Sequence, residues 1–213
     1  MIVYWVLLLL IAFVAYLFGC LDTLVLASNF VFHRNLRRLG DSRVWLSNFY
    51  RLFGAAGFLK LAAVELVKDL VPILLGALLL GLRGHADVGR AFAGFVLVLG
   101  RLWPATNRFR GSHGIYPFLV AAIAVESSVG IAAALVALAV TVLTRYASLG
   151  AFLAALSAAV VAVLMVDDAL LLRLLLLTAL LVILRHIPAL IRIFRRREPK
   201  ISFEKDITYK LDE

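Results

Sequence analysis

Seven apolar runs follow one another along the chain: Ile2–Val25, Leu59–Leu82, Ala91–Leu102, Ile115–Val125, Val129–Leu143, Leu149–Val166 and Ala169–Leu184. Between them charge comes in short clusters, and within them Leu, Ala, Val, Ile and Phe follow one another without the polar alternation of a barrel strand. In hydrocarbon the backbone must satisfy its own polar groups, which leaves helices or closed barrels, and without alternation the runs are predicted as helices. A bilayer core takes about 20 residues of helix, so the third and fourth runs are short for full crossings. They read as half-spans joined by an irregular segment, tolerated only where protein or a water-filled cavity lines it. A five-span arrangement that merges short runs is the alternative.

Composition agrees with that pattern. Of 213 residues, 64% are hydrophobic and the mean hydropathy is +1.02, whereas soluble domains are nearer half apolar. The expected fold is all-α, a polytopic transmembrane bundle of residues 1–200, with residues 201–213 as a polar, mobile tail. The net charge of +9 does not indicate nucleic acid, because the arginines sit at the ends of apolar runs instead of on a water-facing surface. They also suit anionic lipid headgroups or an anionic substrate.

One set of connections carries Arg34, Arg37, Arg38, Arg43 and Arg51, then Arg101, Arg108 and Arg110, then Arg145, then Arg185 onward. The other carries Arg83 and Arg90 with acidic Asp87, Glu126, Asp167 and Asp168. The positive-inside rule makes the first set cytoplasmic, the N-terminus external and the tail internal, in the cell's inner (plasma) membrane. The single cysteine, Cys20, permits no internal disulfide. No signal-peptide pattern precedes the first run, which reads as a retained helix.

Three segments of the basic side hold the unusual polar residues: His33–Arg51, then Gly100–Gly114, then Arg185–Arg192 with the basic run after it. Within the second, Arg108-Phe-Arg-Gly-Ser-His-Gly114 has the makings of a phosphate cradle. Gly111 and Gly114 permit unusual backbone angles, so N–H groups can converge on an anion beside Arg110 and His113, and a helix N-terminus is predicted at Ile115. The plainer reading is an arginine-flanked turn that only sets topology.

Lys60, Glu65, Lys68 and Asp69 fall in the second run, where charge is costly and normally faces a partner or a cavity; a self-neutralising cluster and a functional role both fit. His186, beside Arg185 at the end of a run, reads by itself as interfacial. Trp5, Trp45, Trp103, Tyr50 and Tyr116 suit an interfacial belt, Asp167-Asp168 a solvated turn, and Arg173 a snorkelling side chain. No metal-ligand spacing, P-loop or nucleophile elbow is present, and no cofactor is expected.

The spacing of the three segments resembles the bacterial acyl-phosphate:glycerol-3-phosphate acyltransferase family, the PlsY membrane enzymes of phospholipid synthesis. Its first motif, Gly-Ser-x-Pro leading to Asp-Ile-Arg and Gly-Ser-Gly-Asn…Thr-Asn-x-x-Arg, falls without gaps on Gly19-Cys-Leu-Asp22, Asn35-Leu-Arg37, Gly40-Asp-Ser-Arg43 and Ser47-Asn48…Arg51. A downstream Asp-x-x-Lys-Gly falls on Glu65-x-x-Lys68-Asp69. The second motif, Gly-His-x-x-Pro before Lys-Gly-Gly-Lys-Gly, falls on Gly100-Arg-x-x-Pro104 and Arg110-Gly-Ser-His-Gly114. The third, His-x-x-Asn-Ile-x-Arg, falls on His186-x-x-Ala189-Leu-x-Arg192, and Glu198-Pro-Lys200 resembles the family's tail.

The resemblance covers nearly the whole chain and implies acyl transfer from acyl phosphate to glycerol 3-phosphate, or to a related anionic acceptor, at a membrane-lipid surface. It implies His186, Arg37 and Lys68 as catalytic groups, and Arg110, Gly111, His113, Gly114, Arg43 and Asn48 as ligands of the acceptor phosphate. The departures are Arg43 and Trp45 in a glycine-rich stretch, Arg110 and His113 for lysines, Arg101 for histidine and Ala189 for asparagine. They keep open a non-catalytic relative that scaffolds or binds lipid beside a membrane protein partner. A transporter would use the charges of the second run but lacks paired interrupted helices.

Overall fold

The computed structural model describes the backbone of residues 2–23, 45–198 and 200, with all of their side chains except those of residues 45–53 and 58. Seven α-helices account for most of these residues: α1 Ile2–Cys20, α2 Trp45–Gly81, α3 Ala86–Leu102, α4 Ile115–Val125, α5 Ser127–Thr144, α6 Ala147–Met165 and α7 Ala169–Phe194. A 3₁₀ turn, Ala105–Asn107, interrupts the link from α3 to α4. Among the described residues, five helical stretches are long and apolar enough to cross a membrane; of these, Ile2–Cys20 has a mean hydropathy of 2.5. The chain is a multi-pass integral membrane protein with an all-α fold.

The fourth expected span matches α4, and the others begin or end elsewhere. The first helix stops at Cys20, where Leu21 N–H bonds back to Phe18 O at 3.2 Å. The second starts well before Leu59, with a break at Gly54, whose φ of 65° and ψ of −168° are not helical. The third is longer than its apolar run because Asp87 and Arg90 occupy its first turns, paired at 3.2 Å. The last continues to Phe194, so Arg185, His186 and Arg192 lie on the helix and not after it.

The short runs stay separate helices and do not merge, although five stretches of the described residues are long and apolar enough to cross. Glu126 is extended between α4 and α5 and caps α5, its side chain accepting from Ser128 N at 3.3 Å. Asp168 does more than sit in a solvated turn. It is the N-cap of α7, accepting from Leu170 and Leu171 N–H at 2.8 and 2.9 Å, which satisfies donors the helix leaves unpaired.

Two apolar cores share α3 and α4. One gathers Ile11 and Ala15 of α1, Ile73 and Leu80 of α2, Ala93, Val96 and Leu97 of α3, and Ala121 of α4. The other joins Val98, Leu102, Phe118 and Val129 to the alanine face of α6 and to Leu175, Ala179 and Val182 of α7. Between membrane helices there is little hydrophobic drive, so close approach by small residues carries the packing. A side chain at Gly19 would meet Leu97 O at 2.3 Å, and one at Gly89 would meet Gly76 O at 2.1 Å; these are the crossings of α1 with α3 and of α2 with α3. The faces turned away from the cores stay apolar and open, as Leu9 at 71% and Phe13 at 63% exposure show, which suits acyl chains.

This packing sorts the connections into two ends. Tyr4 meets His85 edge to face at 6.1 Å at one end, the end of Asp87, Glu126 and Asp168. At the other, Tyr16 Oη donates to Trp103 O at 2.8 Å and Thr106 Oγ1 to Cys20 O at 3.2 Å, tying the end of α1 to the link after α3. Arg101, Arg108, Arg110, Arg145 and Arg185–Lys200 collect there.

Candidate functional site

The 103–114 link turns back over the end of α3. Ser112 N–H donates to Arg101 O at 3.2 Å, which lays Gly111 against the last turn of that helix. A Cβ at Gly111 would stand 2.1 Å from Arg101 O and 2.5 Å from Leu102 O, so no side chain fits there. Gly114 has φ +72° and forms the N-cap of α4, a left-handed backbone position that favours glycine. Both glycines are therefore required by the path of the loop, and α4 begins without a side-chain cap.

Helix α7 runs beside this loop. Arg185 Nη2 donates to Gly111 O at 2.8 Å and its Nε to Ser112 O at 3.4 Å. One residue later the His186 ring lies 5.1 Å from that of His113, centroid to centroid. His186 is buried, at 2% exposure, and its Nδ1 sits 2.7 Å from Val182 O. That contact requires Nδ1 to carry a proton, which leaves Nε2 as the acceptor of the neutral ring.

Past the helix end the chain folds back: Glu198 Oε2 pairs with Arg192 Nε at 2.6 Å and Oε1 accepts from Ser148 Oγ of α6 at 2.5 Å. Lys200 Nζ stands 5.5 Å over the Tyr146 ring. His113 keeps an exposed edge, yet partial burial of its ring, then the Arg185 and Arg192 cations, hold its pKa below the ordinary imidazole value against the opposing pull of Glu198. Burial alone would raise the Glu198 pKa; the hydrogen bonds from Arg192 and Ser148 and the Arg192 charge outweigh it and lower it.

A second charged group lies deeper, between α2 and α3. Glu65 Oε1 is shared by Lys68 Nζ at 3.3 Å and Arg101 Nη2 at 3.1 Å, and Lys68 Nζ also stands 3.0 Å from Asp69 Oδ1. The α2 members are all but inaccessible, with Glu65, Lys68 and Asp69 at 3%, 5% and 0% exposure. Two anions face two cations, and Arg101 Nη1 goes on to donate to Leu21 O at 3.1 Å.

Of the residues expected from sequence, Gly111, His113, Gly114 and His186 come together, Arg110 stands exposed on the same loop, and Lys68 is committed to the buried cluster. Arg37 and Arg43 lie outside the described residues, as does the side chain of Asn48. Arg185 as a loop anchor and the Ser148–Glu198–Arg192 set were not expected as site residues. The arginine beside His186 was a visible signal for the first; Ser148 carries none, because its partner lies 50 positions away. The departure at Arg101 finds its reason in Glu65, and Ala189 is fully buried on α7.

The fold and site together define a polytopic membrane protein that sets a loop of glycines and basic groups against a histidine-bearing helix. A family model described as "Glycerol-3-phosphate acyltransferase" matches residues 9–196. The chain belongs to that family and is a membrane acyltransferase of phospholipid synthesis. It is 25% identical over 196 residues to the glycerol-3-phosphate acyltransferase of Thermoanaerobacter sp. (strain X514), covering 92% of this chain and 96% of the relative. It is 24% identical over 197 residues to that of Staphylococcus aureus (strain Newman), covering 89% and 95%.

Two crystal structures of PlsY (YgiH), an integral membrane glycerol 3-phosphate acyltransferase, share the fold. The glycerol 3-phosphate form superposes with a TM-score of 0.74 at 24% identity, covering 92% of this chain and 96% of that one. The lysophosphatidic acid form gives 0.75 at 23% identity, covering 93% and 97%.

Proposed function

We propose that the chain transfers a fatty acyl group from acyl phosphate to the 1-hydroxyl of glycerol 3-phosphate, on the cytoplasmic side of the plasma membrane. The observation that carries this reading is the junction of the 103–114 loop with α7, where Gly111, Ser112 and His113 meet Arg185 and His186. Arg110, His113 and the backbone of Gly111 and Gly114 would hold the acceptor phosphate, with Arg37, Arg43 and Asn48 contributed by the first segment. Arg110 can grip a phosphate through two donors where lysine offers a point charge.

The acceptor oxygen attacks the acyl carbonyl carbon, the bond from that carbon to the phosphate oxygen breaks, and the hydroxyl proton leaves with the departing inorganic phosphate. Lysophosphatidate is the other product. Such a reaction gains most from holding the two anionic substrates in line and from fixed positive charge near the oxygens that become negative. His186, with Nδ1 fixed by Val182, offers Nε2 to the reacting groups. Lys68 has no free face for substrate, and its part is to fix the cluster that anchors Arg101 under the loop. The basic end faces the cytoplasm by the positive-inside rule, which puts the start of α1 outside and the tail inside. Residues 1–200 act as one membrane domain in contact with lipid.

Purified protein in nanodiscs, supplied with acyl phosphate and glycerol 3-phosphate, should release lysophosphatidate and inorganic phosphate in equal amounts. Folded protein that yields neither would sink this reading.

A further inference from the structure

Arg185 holds two successive carbonyls, those of Gly111 and Ser112. No peptide bond among the described residues is cis, so each unit points its N–H opposite to its C=O. With both carbonyls drawn to one guanidinium, the N–H groups of Ser112 and His113 are turned the other way. Arg101 O takes the Ser112 N–H, and the His113 N–H meets no acceptor among the described residues. Just beyond it stands the uncapped N-terminus of α4, whose first amides add positive potential in the same place. The Gly111–Ser112 unit stays pinned by Arg101 O, but without the guanidinium the Ser112 carbonyl is free to rotate, and its unit can present a negative rather than a positive dipole to an incoming phosphate.

We propose that Arg185 is a positioning residue of the acyl transfer: it grips the Gly111 and Ser112 carbonyls at the back of the loop so that the free His113 N–H, beside the start of α4, faces the acceptor phosphate. This rests on the acyl-transfer reading above. A guanidinium suits the task because its planar fork can span adjacent carbonyls, which an ammonium cannot do in fixed geometry. The same charge also acts on His113, whose ring is faced by Arg185, Arg192, Glu198 and His186.

The test compares wild type with Arg185→Met and Arg185→Lys in nanodiscs. Arg185→Met should raise KM for glycerol 3-phosphate about tenfold or more, as expected for loss of hydrogen bonds to a charged group, with KM for acyl phosphate nearly unchanged. Arg185→Lys should lie between. The His113 ring titration, followed by NMR, should move up in pH in Arg185→Met and stay in place in Arg185→Lys, a response that loop stability alone does not produce. Wild-type KM in a folded Arg185→Met protein overturns the proposal; should that variant fail to fold, a wild-type KM in Arg185→Lys overturns it instead. An inactive wild type would bring down the acyl-transfer reading, whereas an active one indifferent to Arg185 brings down only this inference.

Discussion

The basic end of the bundle holds two charged groups built on opposite plans. Between α2 and α3, Glu65, Lys68, Asp69 and Arg101 balance two against two away from solvent. Between the loop and α7, Arg185 donates to backbone carbonyls, and among the described residues only Arg192 there has a carboxylate of its own, in Glu198. Carbonyls satisfy a guanidinium's donors without cancelling its charge. The deep group is thus electrostatically closed, while the loop group keeps a surplus of positive potential beside exposed Arg110 and His113. A closed group can position neighbours; an open one can take an anion.

The sharpest way to break that contrast is to open the closed group. Lys68→Met leaves Glu65 and Asp69 with Arg101 alone, and Asp69 Oδ2 already has no hydrogen-bond partner. Removing one partner of a buried ion pair costs about 3–5 kcal/mol, so the melting temperature in detergent should fall by many degrees. Restoring the balance in Lys68→Met/Asp69→Leu should recover a large part of the loss. A single variant that melts like wild type would show that the pairs are not what keeps these charges buried.

The two groups were also unequally legible in the sequence. The helices were visible because apolar runs and charge clusters alternate along the chain, and α4 was bounded to the residue by Gly114 and Glu126. Asp87, Arg90 and the stretch Arg185–Arg192 blurred the ends of α3 and α7, since charge on the first and last turns of a helix looks like loop when only hydropathy is read. Glu65, Lys68 and Asp69 stand close enough in sequence to suggest mutual neutralisation, but Arg101, 36 positions from Glu65 on another helix, could be joined to them only by packing. On the loop, Gly111 and Gly114 were both expected to take unusual backbone angles, and of the two Gly114 does so. That the reason at Gly111 is contact with the end of α3 depends on how the loop folds back. Ser148 and Glu198 meet across two helix ends, and no local pattern encodes such a contact.

A smaller perturbation acts on the open group. Gly111→Ala places a methyl where Arg101 O, Leu102 O and Pro104 Cδ leave no room. The loop must lift, and the carbonyl held by Arg185 moves with it. Overpacking of this kind costs about 1–3 kcal/mol, less than the Lys68 change, yet acyl transfer should fall further than stability does, by about tenfold or more if a single positioning bond to the guanidinium is lost. The comparison is made by measuring melting temperature and turnover on one preparation. Turnover that merely tracks the folded fraction would make Gly111 a packing residue and nothing else.

The smallest effect separates the two carboxyl and imidazole titrations of the open group by pH. Glu198 has a lowered pKa, so its pairing with Arg192 and Ser148 stabilises the fold above the ordinary glutamate range and is lost as pH falls through the folded value. Arg192 is well exposed, 40% at its side chain, so the pair is worth at most about 1 kcal/mol. Melting curves of wild type and Glu198→Gln should therefore differ by a small constant amount at neutral pH and converge in acid. His113, also lowered, acts in a higher window: the unfolded chain binds its proton first, so stability declines once pH drops below the ordinary imidazole value. That decline should begin at the same pH in both proteins, where the unfolded imidazole titrates, but be larger and reach lower pH in Glu198→Gln, because Glu198 is the one group acting on His113 that favours its charged form, and its removal lowers the His113 value further. A wild-type curve that never meets the Glu198→Gln curve in acid would mean that Glu198 acts by shape or neutral hydrogen bonding, and the tail's fastening to α6 and α7 would then owe nothing to its charge.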